Sequence, residues 1–413
     1  MSSSSSSRLR AFAAAAFLAA GLALGGSAFA QESLRPEVGR PLQAAQDLIK
    51  SGKYREALAK VREAEAAGAR NANETYLIER MRLAAASGAG DAETAARSYE
   101  ALSSSSRIPG PEKLRMIESI AGSYYRAQQY AKSMQWSQRY LREGGTNPAM
   151  RTMLIQSQYL SGDFAGATRE LMVEIQAAER AGTPPPEDRL KLLLNAASKQ
   201  GDNNAYVFAM EKLVTYYPKK EYWVDLLSRM QRKQNFSDRL SLDAYRLSLA
   251  TGSMSAPSDY MEMAQLALQA DLASEGKQVI DKGISSGALS NGAQADRARR
   301  LKALIDKKLA EEAASRAEDE RQAAAAKTGD AMVSLGMRLV YSGQAPKGVQ
   351  LMQQGIAKGG LKRPEDAKLH LGIAQVVAGD KAKAQATFKT VQGTDGTADL
   401  ARLWTLYARR GAA

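Results

Sequence analysis

The chain is 413 residues long, carries a formal charge of +13, and contains one histidine and no cysteine. The missing thiols exclude disulfides and thiolate metal sites, and one histidine is too little for a zinc centre or a histidine-assisted nucleophile, so neither metal nor cofactor is expected. The excess of base suits acidic partners, and it serves solubility wherever it is spread over solvated helix faces.

Residues 1–30 have the order of parts of a secretory signal: Arg8 and Arg10, an apolar stretch from Ala11 to Leu24, and Ala28-Phe29-Ala30 as a small-x-small cleavage site. Cleavage after Ala30 removes Arg8 and Arg10 and takes the charge from +13 to +11. An uncleaved anchor is the competing reading of the same stretch. No run of about 18 apolar residues follows, so no transmembrane helix is expected, and there is no cysteine on which to build a lipid anchor. The expectation is export to a bacterial periplasm, or outright secretion, where lipid head groups and acidic glycans are available and nucleic acid is not.

From Gly52 onward a short phrase recurs: a turn residue, one or two polar residues, an aromatic or apolar residue, then a small one. Ser51-Gly52-Lys53-Tyr54-Arg55-Glu56-Ala57 and Ser161-Gly162-Asp163-Phe164-Ala165-Gly166-Ala167 are the clearest copies; Ala378-Gly379-Asp380-Lys381-Ala382 lacks the aromatic. Weaker copies centre on Gly88, Gln128, Gly201, Gln234, Ala270 and Gly343. Between Gly52 and Ala270 the centres are 33 to 40 residues apart, the length of two helices of three to four turns with two short turns. Glycine permits a left-handed reversal, Tyr54, Phe164, Tyr130 and Phe236 are placed to plug the joint between the helices, and Ala57 and Ala167 let the second helix approach closely.

These phrases resemble the tetratricopeptide repeat. In that family's register Leu48, Val61 and Ala64 are core positions around Gly52, and Met210, Leu213 and a terminating Pro218 follow Gly201; Pro148 keeps the same register. The unit at Gln234 keeps Trp223, Leu226 and Phe236 but has Arg239 where the family has a small residue. The resemblance implies an all-α fold, a right-handed solenoid of helix hairpins, interrupted by one long charged helix. That helix is expected over Ala293–Lys327, which has no Gly or Pro. Leu301, Leu304, Ile305 and Leu309 give its first half an apolar stripe, and the rest of the segment has only alanine. It either spans solvent as a spacer or lies along its own solenoid. The expected organisation is therefore a signal peptide over 1–30, an N-terminal array over 31–290, the long helix over 291–328 and a C-terminal array over 329–413.

Catalytic signatures are sparse. His370 stands beside Leu369 and Leu371 in a helix and reads as structural. Glu118-Ser119 matches the acid of exported lytic transglycosylases, but the Gly-Leu-Met-Gln segment of that family is echoed only by Gln350-Leu351-Met352-Gln353, far along the chain. Recognition is the better reading, because a hairpin solenoid presents its first helices as a binding surface. The family register places Arg115, Tyr125, Arg126, Gln156, Tyr159, Lys191, Asn195, Lys199 and Arg232 on or near that surface. Basic and aromatic side chains together suit an acidic peptide segment, an acidic glycan or a lipid head group. Lys191 and Asn195 match half of the carboxylate clamp known in some family members, but Asp225, Pro257 and Met261 stand where its other half belongs, so a clamp is not expected. The function expected is that of a non-catalytic scaffold that assists assembly of an envelope complex. A peptidoglycan-active enzyme and a non-specific polyanion binder are the rival readings.

Overall fold

The computed structural model describes residues 34–254 and 256–409. The expected signal peptide lies outside the described residues. Within them the chain is all-helical, with no strand, and it forms two compact units. The first comprises the described residues through Gln176 with Ala196–Gly201; the second comprises Ala177–Asn195 with the residues from Asp202 on.

The first unit is a stack of hairpins: α1 (Pro36–Lys50) with α2 (Tyr54–Glu65), α3 (Ala72–Ala89) with α4 (Ala92–Ser103), α5 (Gly110–Arg126) with α6 (Tyr130–Arg142), and α7 (Pro148–Ser161) leading into α8 (Phe164–Arg180). At each reversal one residue is left-handed: Gly52, Gly90 and Gly162 at φ of 76°, 76° and 87°, and Gln128 at 58°. The copy read at Gly88 is therefore displaced by two residues. Gly88 lies inside α3, where a Cβ would stand 2.3 Å from the Tyr54 ring, so Tyr54, which packs on the core of its own hairpin, also covers the next one. Phe236 does not plug its own joint but packs on Gly396, whereas Tyr130 and Phe164 sit where the phrase puts them. Tyr130 packs edge-on against Tyr125 and Phe164 against Tyr159, each with ring centroids 5.5 Å apart. Ala57, Val61, Ala64 and Ala167 are fully enclosed. Successive first helices also touch, α1 with α3, α3 with α5 and α5 with α7, so they line the inner side of this stack.

The second unit continues with α9 (Glu187–Gln200), α10 (Asn203–Tyr216), α11 (Lys220–Gln231), α12 (Ser241–Thr251), α13 (Pro257–Gln269), α14 (Ala273–Ser285), α15 (Gly292–Ala325), α16 (Asp330–Tyr341), α17 (Ala345–Lys358), α18 (Pro364–Val377), α19 (Lys381–Phe388) and α20 (Thr397–Arg409). Left-handed residues again mark the reversals, namely Asp271, Gly343 and Gly379, as Gly201 does between α9 and α10 at the end of the stretch that belongs to the first unit. The reversal at Gln234 is the exception. It has no left-handed residue but a single 3-10 turn over Asp238–Leu240, so α12 starts only at Ser241 and Arg239 stands outside the hairpin joint.

The long helix α15 runs 34 residues, about 50 Å. It lies along the second unit, against α13, α14 and α16. Leu301 and Ile305 are buried beside α13 and α14, but Leu304 is 59% exposed, on the solvent side of the stripe. The alanine-rich half is docked as well: Ala323 packs on Leu335 and Leu339, Arg338 bonds Asp319 at 2.9 Å, and Lys347 bonds Glu320 at 2.7 Å. Alanine suffices there because charged partners on α16 and α17 hold its flanks.

Helices α16 and α17 approach closely where glycines face each other. A Cβ on Gly348 would stand 2.4 Å from the Gly336 carbonyl oxygen and 2.8 Å from the Val340 amide nitrogen, both backbone atoms with no room to yield. Gly348→Ala should therefore lower stability by about 1–3 kcal/mol, read as a lower urea midpoint by circular dichroism. Gln128→Gly should raise it, because an exposed residue at φ 58° is relieved of its left-handed cost without loss of a packed side chain.

Candidate functional site

In the first unit the expected surface residues fall into two adjacent rows. On α5, Arg115, Glu118, Gly122, Tyr125 and Arg126 follow the three-to-four-residue spacing of one helix face. On α7, Gln156 and Tyr159 do the same. The Tyr125 hydroxyl donates to Gln156 Oε1 at 3.1 Å, which ties the rows together. Partial burial raises the Tyr125 pKa, keeping the phenol a neutral donor. Gly122 is buried between the rows, where a Cβ would stand 3.5 Å from the Arg126 guanidinium and 3.8 Å from Met153. The Lys199 ammonium stands 5.6 Å from the centre of the Phe164 ring, which itself packs on Tyr159. Arg115 and Arg126 are exposed and have no acidic partner among the described residues; Arg126 donates to the Ser123 hydroxyl at 3.0 Å. The one carboxylate in the rows, Glu118, accepts from the Asn147 amide at 2.7 Å. Asn147 also caps α7, so Glu118 is held to the turn that starts the next helix.

The second unit places the remaining expected residues differently. Lys191 and Asn195 share an exposed face of α9 one turn apart, but Lys191 bonds Glu187 at 3.1 Å. Glu187 also receives Lys219 and Tyr222, and these three donors, Lys219 first, hold its carboxyl down at about 2. Lys191 is thus partly satisfied within the chain. Arg232 is the cap residue after α11, with its Nε donating to the Ser228 carbonyl at 3.2 Å, and lies in the turn rather than on a helix face. Asp225, which spoils the clamp, accepts from Tyr206 and from Arg229 at 3.3 Å.

Sequence reasoning passed over the largest polar cluster of this unit. Arg246 is enclosed on α12 and bonds Glu275 through two hydrogen bonds of 2.7 and 2.6 Å and Asp243 through one of 2.6 Å. His370 Nε2 stands 3.1 Å from the second oxygen of Asp243. Burial alone would raise the Asp243 pKa, yet His370 and Arg246 hold it down at about 2. Nearby, Arg239 forks onto Asp366 at 2.9 and 2.8 Å and reaches Asp395 at 2.7 Å. The signal that pointed here was Arg239 itself, a charge standing where the repeat wants a small residue. An open cleft of about 470 Å³ lies among α12, α13, α16 and α18, with Arg239, Asp243, Arg246, Arg338 and His370 in its wall. Its bases already face carboxylates of the same chain, so it offers no unpaired charge cluster for chemistry. No group of side chains that could hold a metal ion is found among the described residues.

No family model matches the chain, and no curated protein matches it. Among solved structures it is similar to yeast Tom70, at 11% identity and a TM-score of 0.24 over 90% of this chain and 95% of that one. It is similar to the pentatricopeptide repeat protein PPR10 from maize, at 13% and 0.29 over 90% and 62% of the two chains. A structure of Naa15/Naa10 bound to HypK-THB aligns at 15% and 0.27 over 84% and 62%. Scores of this size carry no argument. The chain's likeness to tetratricopeptide repeats rests on its own hairpins: paired antiparallel helices, left-handed reversals at the repeat interval, and enclosed small residues after each turn.

Glu74 gives the first unit a titratable anchor. It is fully enclosed, bonds Arg35 through oxygens at 2.8 and 2.9 Å, and forms a capping box with Asn71; the Arg35 guanidinium holds its carboxyl at about 2. Glu74 and Glu187 both fall from an ordinary value of 4.5 to about 2 on folding. Below 4.5 the unfolded chain takes up these protons first, so the stabilisation present above that pH is lost as pH falls towards 2. The melting temperature should drop over this window, and Glu187→Gln should flatten the drop.

Proposed function

We propose that this chain is a non-catalytic interaction scaffold, exported to the periplasm, that holds an acidic segment of a partner protein on the α5–α7 rows of its first unit and so assists assembly of an envelope complex. The observation that carries this reading is the pair Arg115 and Arg126. They are exposed, without acidic partners among the described residues, and share one face of α5 with Tyr125, which bonds Gln156 of the neighbouring row. Successive carboxylates of a segment lying along this face meet one guanidinium fork and then the other, with tyrosine rings between that lose little entropy on contact. Lys199 extends the basic character along Phe164. Arg8, Arg10 and the Ala28-Phe29-Ala30 site support export, and no described helix is long and apolar enough to cross a membrane.

A photo-crosslinking residue in place of Gln156 should capture one discrete protein in cells, and Arg115→Glu with Arg126→Glu should abolish the adduct. An adduct indifferent to the charge reversal, or retention on heparin with no discrete adduct, overturns the reading. So does release of soluble muropeptides from peptidoglycan that Glu118→Gln abolishes. The amino terminus of the mature chain should be Gln31.

A further inference from the structure

The two sides of α15 differ in how their charges are used. On the side turned to α13, α14 and α16 the apolar residues are buried, and the charges beside them are paired within the chain: Lys302 with Asp281 at 2.5 Å and Lys308 with Asp271 at 3.2 Å, besides Asp319 and Glu320 described above. On the opposite side Arg300, Leu304, Lys307, Glu311, Ala314 and Glu318 follow one another at alternating steps of four and three residues, the spacing of one helix face, and all six are exposed. Arg300, Lys307 and Glu311 have no ion-pair partner among the described residues, and Glu318 meets only its own helix, Arg321 at 2.7 Å and Gln322 at 2.9 Å. Lys307 precedes Glu311 by one turn, the weaker order for a pair within one helix. Leu304, 59% exposed, is the most exposed large apolar side chain among the described residues. Beside the stripe Ala303, Ala310 and Ala317 are exposed at seven-residue steps, small enough for a second helix to come close.

Along the helix the stripe runs basic, apolar, basic, acidic, small, acidic, and reversed it is its own complement. Arg300 and Glu318 lie nine residues either side of Leu309, Leu304 and Ala314 five, and Lys307 and Glu311 two. A two-fold axis crossing α15 at the level of Leu309 therefore sets Arg300 against the second copy's Glu318, Lys307 against its Glu311 and Leu304 against its Ala314, each contact occurring twice. We propose that this face of α15 pairs antiparallel with the same face of a second copy, making the chain a two-fold symmetric dimer. A purely acidic or purely basic partner would match one half of the stripe and be repelled by the other, whereas the same stripe run backwards satisfies both. The stripe is about 27 Å long and exposed ion pairs contribute little each, so the dimer forms reversibly and weakens with salt. It is independent of the function proposed above, since the α5–α7 rows have no part in it.

Sedimentation velocity on the full chain at rising concentration should show a monomer–dimer equilibrium. Arg300→Glu with Lys307→Glu, or Glu311→Lys with Glu318→Lys, sets like charges opposite one another and should raise the dimer dissociation constant by at least about tenfold. An equimolar mixture of these two variants should dimerise again, because each then supplies the charge the other lacks. Since the chain has no cysteine, oxidation reads the register. Leu304→Cys and Ala314→Cys proteins should form a disulfide with each other when mixed, and Leu304→Cys alone should not, its two copies lying about 15 Å apart along the pair. A monomer at every concentration overturns the proposal, as does a dimer that both charge variants keep, or a disulfide formed by Leu304→Cys alone. Binding of the monomer to anionic phospholipid vesicles, lost in Arg300→Glu with Lys307→Glu, would give the face to a lipid surface and overturns the dimer as well. Should a charge variant lose helicity, the cysteine variants decide, each altering one exposed side chain.

Discussion

Two antiparallel helices joined by two or three residues can lie side by side only if one linking residue passes through the left-handed region, since right-handed residues would carry the chain onward as helix. Most hairpins of this chain are built on that reversal. It fixes where the second helix begins, which places Ala57 and Ala167 at the closest approach and Tyr130 and Phe164 at the joint. Glycine performs the reversal at most of these turns; Gln128 and Asp271 perform it with a side chain, at φ of 58° and 57°. Each resulting hairpin has an apolar stripe that only its neighbours can bury, so the unit of stability is the stack.

Where the stripes run out, charge takes over. Arg246 would be prohibitively costly in the interior alone, but Glu275 and Asp243 surround it with three short hydrogen bonds. Arg239 does the same job at the seam, tying the turn before α12 to α18 and to the loop before α20, 127 and 156 residues away in sequence. Most contacts of a repeat array are local. These are not, and they turn the second unit from an open stack into one whose early helices α10 and α12 meet its last, α20.

Much of the fold was legible because glycine, aromatic and alanine at fixed offsets have one mechanical meaning. The reversal centres read from sequence fall between helices at Gly52, Gly162, Gly201, Gly343 and Gly379, and the charged helix begins and ends within two residues of its expected limits. The displaced turn at Gly90 shows the limit of that reading. Both Gly88 and Gly90 fit the phrase, and only the Tyr54 ring, from a neighbouring hairpin, decides which is the turn. Long-range pairing was opaque for the same reason: nothing near Arg239 names Asp366 or Asp395. Of the two courses open to α15, spacer or docked helix, the docked one was not selected by sequence, because its alanine half carries no stripe and its attachment depends on Arg338 and Lys347 of later helices. On the surface, residue type identified Arg115 and Arg126 as candidates but did not reveal that Lys191 was already paired with Glu187.

The seam at Arg239 has a consequence for how this protein can change over generations. An open array tolerates duplication or loss of a hairpin, since any new member finds the same neighbours as the old. In the second unit, an added hairpin between α12 and α18 would carry Asp366 and Asp395 out of reach of Arg239 and leave the guanidinium facing water. The copy number of this segment is thereby locked, while the first unit, with no described bond between its first and last hairpins, stays free to lengthen.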